Sequence, residues 1–359
     1  MRLLKTIPKT IFIVINVLTV VAMIFCAYSV VLPPQQYTRL SESGMWFPLF
    51  LIMNVAFLLF WLIFKRRFVL ISLAGMLLCA ASIRTYAPLN FVQEPPAGAI
   101  KVLSYNIMTF GDKKDVPWNE NEIVMYLQQC GADIVCLQEA TNGETKKALE
   151  VLKEQYPYYS LGEDEKNFLA CLSKYPILSE RKIDYASSSN ASYAYEVAVG
   201  DKTVLVVNNH LESYRLSQAD KDDYKSIIQN YNHPEENDSE EKLFNLFGKL
   251  ASPDSLRGMQ VDSVAAFVQQ NEGRYIVVCG DFNASPISYA HYRLTKDLND
   301  AYTRSGNGPG ISYHRSGMYF RLDHILVSPN IKAYKAVVDR SAKASDHYPI
   351  YCYISFDEE

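Results

Sequence analysis

Tyr275-Ile276-Val277-Val278-Cys279-Gly280-Asp281-Phe282-Asn283-Ala284 is an apolar run that breaks at a glycine and then delivers two polar side chains. β-Branched and aromatic residues ended by a turn former read as a buried strand, so Asp281 and Asn283 fall at a strand tip, where a rigid scaffold can aim them. The same grammar recurs on both sides. Val102-Leu103-Ser104-Tyr105 runs into Asn106, Asp133-Ile134-Val135-Cys136-Leu137-Gln138 into Glu139, and Val206-Val207-Asn208-Asn209 into His210. Nearer the C-terminus, Asp323 stands in Arg321-Leu322-Asp323-His324-Ile325, and Asp346 and His347 in Ser345-Asp346-His347-Tyr348-Pro349. Taken singly, each has an ordinary structural explanation: a strand-terminal Asp usually caps a turn, and a lone His is usually a satisfied structural group. Taken together they read as polar tips converging on one pocket.

Around these tips the pattern predicts strands at 101–106, 134–138, 169–173, 193–199, 203–210, 275–281, 324–328 and 350–355, and helices at 119–130, 145–156, 255–271 and 288–296. In the third helix Val261, Val264, Ala265 and Val268 repeat at helical spacing. From residue 100 onward the chain is therefore a mixed α/β domain. Glu212 to Asp254 is polar and charge-dense, and reads either as a lid following His210 or as a solvated insertion without a role.

The first 98 residues obey a different rule. Ile11–Leu32, Met45–Phe64 and Phe68–Ile83 are apolar runs; roughly 20 residues cross a ~30 Å hydrocarbon core as a helix. They predict a three-span anchor over 1–89, joined by a Pro95-Pro96 linker at 90–99 to a domain at 100–359. Short cationic segments stay in the cytoplasm, so Arg2, Lys5, Lys9 and Lys65-Arg66-Arg67 belong inside and the domain outside, in a periplasm or the extracellular space. A cleaved signal peptide fits poorly, because the first run is long and no small-x-small site follows it. Buried soluble helices would show polar faces.

The 359-residue chain carries a formal charge of −4, but residues 99–359 hold 37 acidic against 27 basic residues. Such a domain repels duplex DNA unless a basic stripe overrides the excess, and no stripe is visible. The seven cysteines lack metal-ligand spacing and read as small core residues.

With these tips in this order, the region from Ile100 to the C-terminus resembles the endonuclease/exonuclease/phosphatase superfamily. The resemblance implies a deoxyribonuclease I-like two-sheet α/β sandwich and divalent-metal-dependent phosphoester hydrolysis. It assigns Asn106, Glu139 and Asp346 to the metal, Mg²⁺ or alternatively Mn²⁺. Asp281 and Asn283 orient the attacking water and the phosphate, Asp323 holds His347, and His210 polarises the phosphoryl group or protonates the leaving oxygen. Three positions depart from the pattern. Asn167, with Glu165 nearby, stands where a carboxylate would support His210; Met108 replaces an acidic residue found in abasic-site endonucleases; and Tyr195-Glu196 occupy a strand where relatives place a phosphate-binding Arg.

The chemistry suits the residues. A hard cation held by carboxylate oxygens draws off the negative charge that makes phosphodiesters resist attack. No Ser or Cys elbow is evident, which favours direct attack by water. The substrate stays open among lipid headgroup, nucleotide and nucleic acid, because this scaffold serves all three. A surface nuclease and a catalytically inactive membrane-tethered binding module are the alternatives.

Overall fold

The structure, a computed structural model, describes residues 2–111, 116–162, 168–185, 187, 190–213, 238–315 and 317–356. Among the described residues, twelve strands build two sheets. They are β1 (Ile100–Asn106), β2 (Ile134–Gln138), β3 (Tyr158–Leu161), β4 (Leu169–Ser173), β5 (Ile177–Lys182), β6 (Ala191–Val199), β7 (Lys202–His210), β8 (Tyr275–Asp281), β9 (Asn299–Asp300), β10 (Asp323–Val327), β11 (Ile331–Val338) and β12 (Ile350–Phe356). One sheet runs β11-β12-β1-β2-β4-β3 and the other β5-β6-β7-β8-β10-β9.

Strand alternation explains the layering. In β1, Val102 faces the inner core with Ile134, Cys136, Val206, Val277 and Ile325. Its neighbour Leu103 faces outward onto a helical layer containing Ile123, Leu127, Leu149 and Leu152. In the second sheet Leu205, Val207 and Val278 turn outward onto Val261, Val264 and Val268. The result is a helix–sheet–sheet–helix sandwich. Asn121 caps the helix Glu122–Gln129 by accepting from the Ile123 and Val124 amides at 3.0 and 3.2 Å. The expected helix at 255–271 is the second half of a longer one, Asp238–Gln270, with Pro253 inside it. Of the segment read as a lid or insertion, residues 214–237 lie outside the described residues.

Two parallel strand pairs and one antiparallel pair bring the polar tips to one end. Asn106 registers with Gln138 in β1–β2, His210 with Asp281 in β7–β8, and Asp281 with Asp323 in β8–β10. Gly280 permits the approach: its φ is +135°, and a Cβ there would lie 2.0 Å from the Asn209 carbonyl oxygen.

At the N-terminus, Lys9–Val31 and Pro34–Phe64 are long and apolar enough to cross a membrane. The third expected span is two helices, Val69–Leu78 and Ala80–Tyr86, with a 67° bend between the segments that meet at Cys79. Polar groups inside the bundle satisfy one another: Trp61 Nε1 donates to Asn16 Oδ1 at 2.9 Å, and Asn16 Nδ2 to Ser72 Oγ at 3.1 Å. Small polar residues hold apolar helices together in this way where water is absent.

The bundle is seated on the domain. Gly44 presses so closely on the Ile287 carbonyl that a Cβ would lie 2.0 Å from its oxygen. Buried Arg321 donates to the Thr85 carbonyl, and the stretch expected as a linker begins on the domain surface, where Asn90 donates to the Thr303 and Gly306 carbonyls at 3.1 and 2.6 Å. Lys65, Arg66 and Arg67 sit at the other end, where Lys9 Nζ lies 5.1 Å from the Phe68 ring centroid.

Candidate active site

A histidine clasped between aspartates forms the centre of the site. His347 Nδ1 donates to Asp323 Oδ2 at 2.7 Å, and its Nε2 stands 3.7 Å from Asp281 Oδ2. Burial alone would disfavour an imidazolium, but Asp323, Asp281 and Asp346 outweigh it and push the His347 pKa up to about 10. With Nδ1 engaged, the Nε2 proton is the one left to meet a substrate. Ser312 Oγ accepts from the Leu322 and Asp323 amides at 3.0 and 3.1 Å, fixing the backbone that carries Asp323.

Asn106 joins this centre to Glu139. Its Nδ2 lies 3.0 Å from Glu139 Oε1 and 3.1 Å from Asp281 Oδ2, while its Oδ1 accepts from the Met108 amide at 3.2 Å. The amide oxygen expected to face a metal accepts this one amide and keeps a second lone pair, while the nitrogen faces the carboxylates. Asn106 acts here as a bridging donor, because the chain turns back at Met108 and needs an acceptor for that amide. His210 Nε2 stands 3.9 Å from both Glu139 Oε1 and Asp281 Oδ2. The two residues expected near its far side, Asn167 and Glu165, lie outside the described residues. Asn283 donates to the Leu211 carbonyl at 2.9 Å, so its side-chain amide is tied to the backbone just after His210.

Two tips hold non-glycine backbone in the left-handed region: Glu139 at φ +53° and Asn283 at φ +49°. Such strain persists where surrounding structure over-determines it, and it clusters at working sites.

Three further residues belong here that the sequence reading passed over. Tyr313 packs edge-on to His347, with ring centroids 5.1 Å apart. Its phenol is pushed up to about 12 by burial and then by Asp346, Asp281 and Glu139, so all three carboxylates lie within its electrostatic reach. Arg315 Nη1 stands 3.7 Å from Asp346 Oδ2 on a half-exposed side chain. It is a cation beside the carboxylates, supplied by a loop where the Tyr195-Glu196 strand has none. Asn208 works behind the tips: it accepts from Gln138 Nε2 at 2.7 Å and donates to the Leu137 and Ala170 carbonyls, pinning the sheets together. A run of β-formers hides such an asparagine among its neighbours, and a loop arginine carries no periodic signal.

The donor set suits a hard divalent cation. Glu139, Asp281, Asp323 and Asp346 put four carboxylates around two imidazoles, His347 and His210, and one guanidinium, an oxygen-rich set in a largely buried space. Asp281, Asp323 and His347 also bring ligand atoms within 4.8 Å of one another. Oxygen-rich sites of this kind take Mg²⁺ or Mn²⁺ in preference to soft metals.

The Endonuclease/Exonuclease/phosphatase family model matches residues 103–347, about two thirds of the chain and every residue of this constellation. The chain belongs to that family. It is accordingly a metal-dependent phosphoric ester hydrolase. Residues 9–86 match a second model, DUF8431, a domain of unknown function. No curated protein matches. Among solved structures, TDP2 of D. rerio humanized by 14 mutations aligns at 16% identity, covering 72% of this chain and 100% of that one, with a TM-score of 0.50. The human Nocturnin catalytic domain with bound sulfate aligns at 16% identity over 72% and 94% of the two chains, TM-score 0.50. A family protein from Bacteroides thetaiotaomicron aligns at 18% over 74% and 100%, TM-score 0.50. These likenesses establish the deoxyribonuclease I-like fold.

Proposed function

We propose that the chain is a multi-pass membrane enzyme that hydrolyses a phosphoester by direct attack of water, with its family domain, residues 100–359, on the outer side of the bilayer. The observation that carries the catalytic part is the Asp323–His347–Asp281 clasp, tied to Glu139 through Asn106. Glu139 and Asp346 would hold Mg²⁺, which when bound supplies charge neutralisation at the phosphate. Asp281 aligns a water for in-line attack and takes its proton. His347, protonated and oriented by Asp323, donates Nε2–H to a phosphate oxygen. His210 stands across Asp281 from this position and is suited to protonate the leaving oxygen, while Asn283 holds the backbone before the loop in place. Arg315 offers a guanidinium to a second phosphate oxygen.

The sidedness rests on charge. The domain is seated on the end of the bundle away from Lys65-Arg66-Arg67, and cationic short loops stay in the cytoplasm. The acidic balance of residues 99–359 favours a lipid headgroup or nucleotide over duplex DNA.

The test is hydrolysis of bis(p-nitrophenyl) phosphate by the full-length protein in nanodiscs, with Mg²⁺ and after EDTA, beside Glu139→Ala and His347→Ala. Activity that needs the ion and is lost in both variants supports the reading; equal activity in all three proteins ends it. The same preparation offered phospholipid, nucleotide and single-stranded DNA ranks the substrate classes.

A further inference from the structure

Where the anchor meets the domain there is a cavity of about 500 Å³, a size that accommodates small amphiphiles. It is lined from both sides. The anchor side carries the apolar Val30, Val31 and Ala81 beside Ser82, and the domain side mixes Ile287 and Leu298 with a polar edge of Asn299, Thr303 and Arg304, next to the hydrogen-bonded carboxylate of Asp300. Tyr28 and Val31 remain half-exposed beside it, at the end of the bundle where the domain is seated. Arg304 uses Nη2 on Asn299 Oδ1 at 2.6 Å, and the other nitrogens of its fork are free to meet a further partner. A second cation lies outside the lining and connects to it through Asn90: Arg84 Nη2 donates to Asn90 Oδ1 at 3.0 Å, and Asn90 Nδ2 donates in turn to the Thr303 carbonyl at 3.1 Å.

We propose that this cavity binds a phospholipid of the outer leaflet, with an acyl chain against Val30, Val31 and Ala81 and the headgroup phosphate against Arg304. The inference rests on the membrane-anchored reading. Apolar side chains continuous with membrane-crossing helices face hydrocarbon rather than water, and a polar edge carrying Arg304, with Arg84 one hydrogen-bonded residue away, matches a phosphodiester headgroup in sign. The site is separate from the catalytic one, since none of Glu139, Asp281 or Asp346 lines it. A lipid held there would fill the seam between anchor and domain and so set how the active-site end is presented to the membrane.

The experiment uses full-length protein purified in detergent, washed into phospholipid-free micelles and weighed by native mass spectrometry. Wild type should retain about one phospholipid per chain, and Ser82→Trp, which fills the cavity from the anchor side, should retain none. Arg304→Gln should lower retention about tenfold, the loss of one charge-assisted contact. A photoactivatable phosphatidylglycerol in nanodiscs should crosslink to the peptide spanning 299–304. Equal retention by wild type and both variants, or crosslinks without enrichment at that peptide, overturns the proposal; unchanged circular dichroism and bis(p-nitrophenyl) phosphate hydrolysis show that the variants fold. Extraction of membranes with alkaline carbonate separates the two readings. A chain released by carbonate refutes the anchor itself, whereas a chain that stays in the membrane yet holds no lipid refutes only this site.

Discussion

Strand β10 is flanked by two histidine–aspartate pairs, and the two have opposite fates. On the active-site side His347 binds Asp323 at 2.7 Å; on the other, His291 binds Asp300 at 3.0 Å and packs against His324, ring centroids 5.0 Å apart. The local chemistry is nearly the same, and the surroundings decide the difference. Asp300 is saturated: it caps the helix Ala301–Ser305 through the Tyr302 amide at 2.8 Å and also accepts from Thr303 Oγ1 at 2.6 Å. Burial would raise its pKa, but the His291 hydrogen bond and the charges of His291, Arg321 and His324 hold it well below the ordinary carboxylate range. His347 meets Asp281 and Asp346 beyond its partner, so negative charge there is in excess and available to a cation or a phosphate. A His–Asp pair does structural or chemical duty according to whether its remaining valences are spent.

That contrast can be broken by mutation. The largest effect should come from His347→Ala or Asp281→Asn: kcat/KM on bis(p-nitrophenyl) phosphate should fall about 10³-fold, and for Asp281→Asn the thermal midpoint should move little, because that substitution lowers the carboxylate excess instead of stranding a buried charge. A loss below about tenfold in steady-state assays would place the chemistry elsewhere.

Asp300→Asn should do the reverse. It removes a buried, hydrogen-bonded charge and should cost about 3 kcal/mol of stability in denaturant titration, with kcat/KM of the folded protein within a factor of about three. pH sharpens the same point. A carboxylate whose folded pKa is depressed binds fewer protons folded than unfolded, so its stabilisation is full above its unfolded pKa of about 3.9 and drains as pH falls through the folded value. Unfolding free energy of wild type should therefore drop on acidification below about pH 4, and that of Asp300→Asn should drop less steeply. Parallel acid limbs would mean that Asp300 is not the depressed group.

The smallest effect should be that of Arg315→Ala. Its side chain is half-exposed, so solvent screens it, and about a tenfold loss in kcat/KM is expected, carried mainly by KM. Rescue by Arg315→Lys short of wild type would indicate a forked contact to phosphate.

Much of the fold is legible along the chain because central strands are apolar and end abruptly in polar tips. The strands expected near 101–106, 134–138, 169–173, 203–210 and 275–281 all occur. Those missed are mostly toward the sheet edges. Ile177–Lys182 is exposed over five of its six residues, and Ile331–Val338 mixes lysines with small apolars, so neither carries a buried-strand pattern. Charged, weakly patterned edges resist further pairing, and that same property hides them from a hydrophobicity reading.

By itself the sequence determined which residues are polar tips and which runs are long and apolar enough to cross a membrane, since both are statements about local pattern and transfer free energy. Only the tertiary structure decided that Asn106 turns its nitrogen toward the carboxylates, that Tyr313 and Arg315 come in from a loop to join them, and that the N-terminal helices are seated on the domain and leave a cavity at the seam. These depend on contacts between residues up to a few hundred positions apart, where close packing and hydrogen-bond satisfaction choose among orientations that a linear pattern leaves equal.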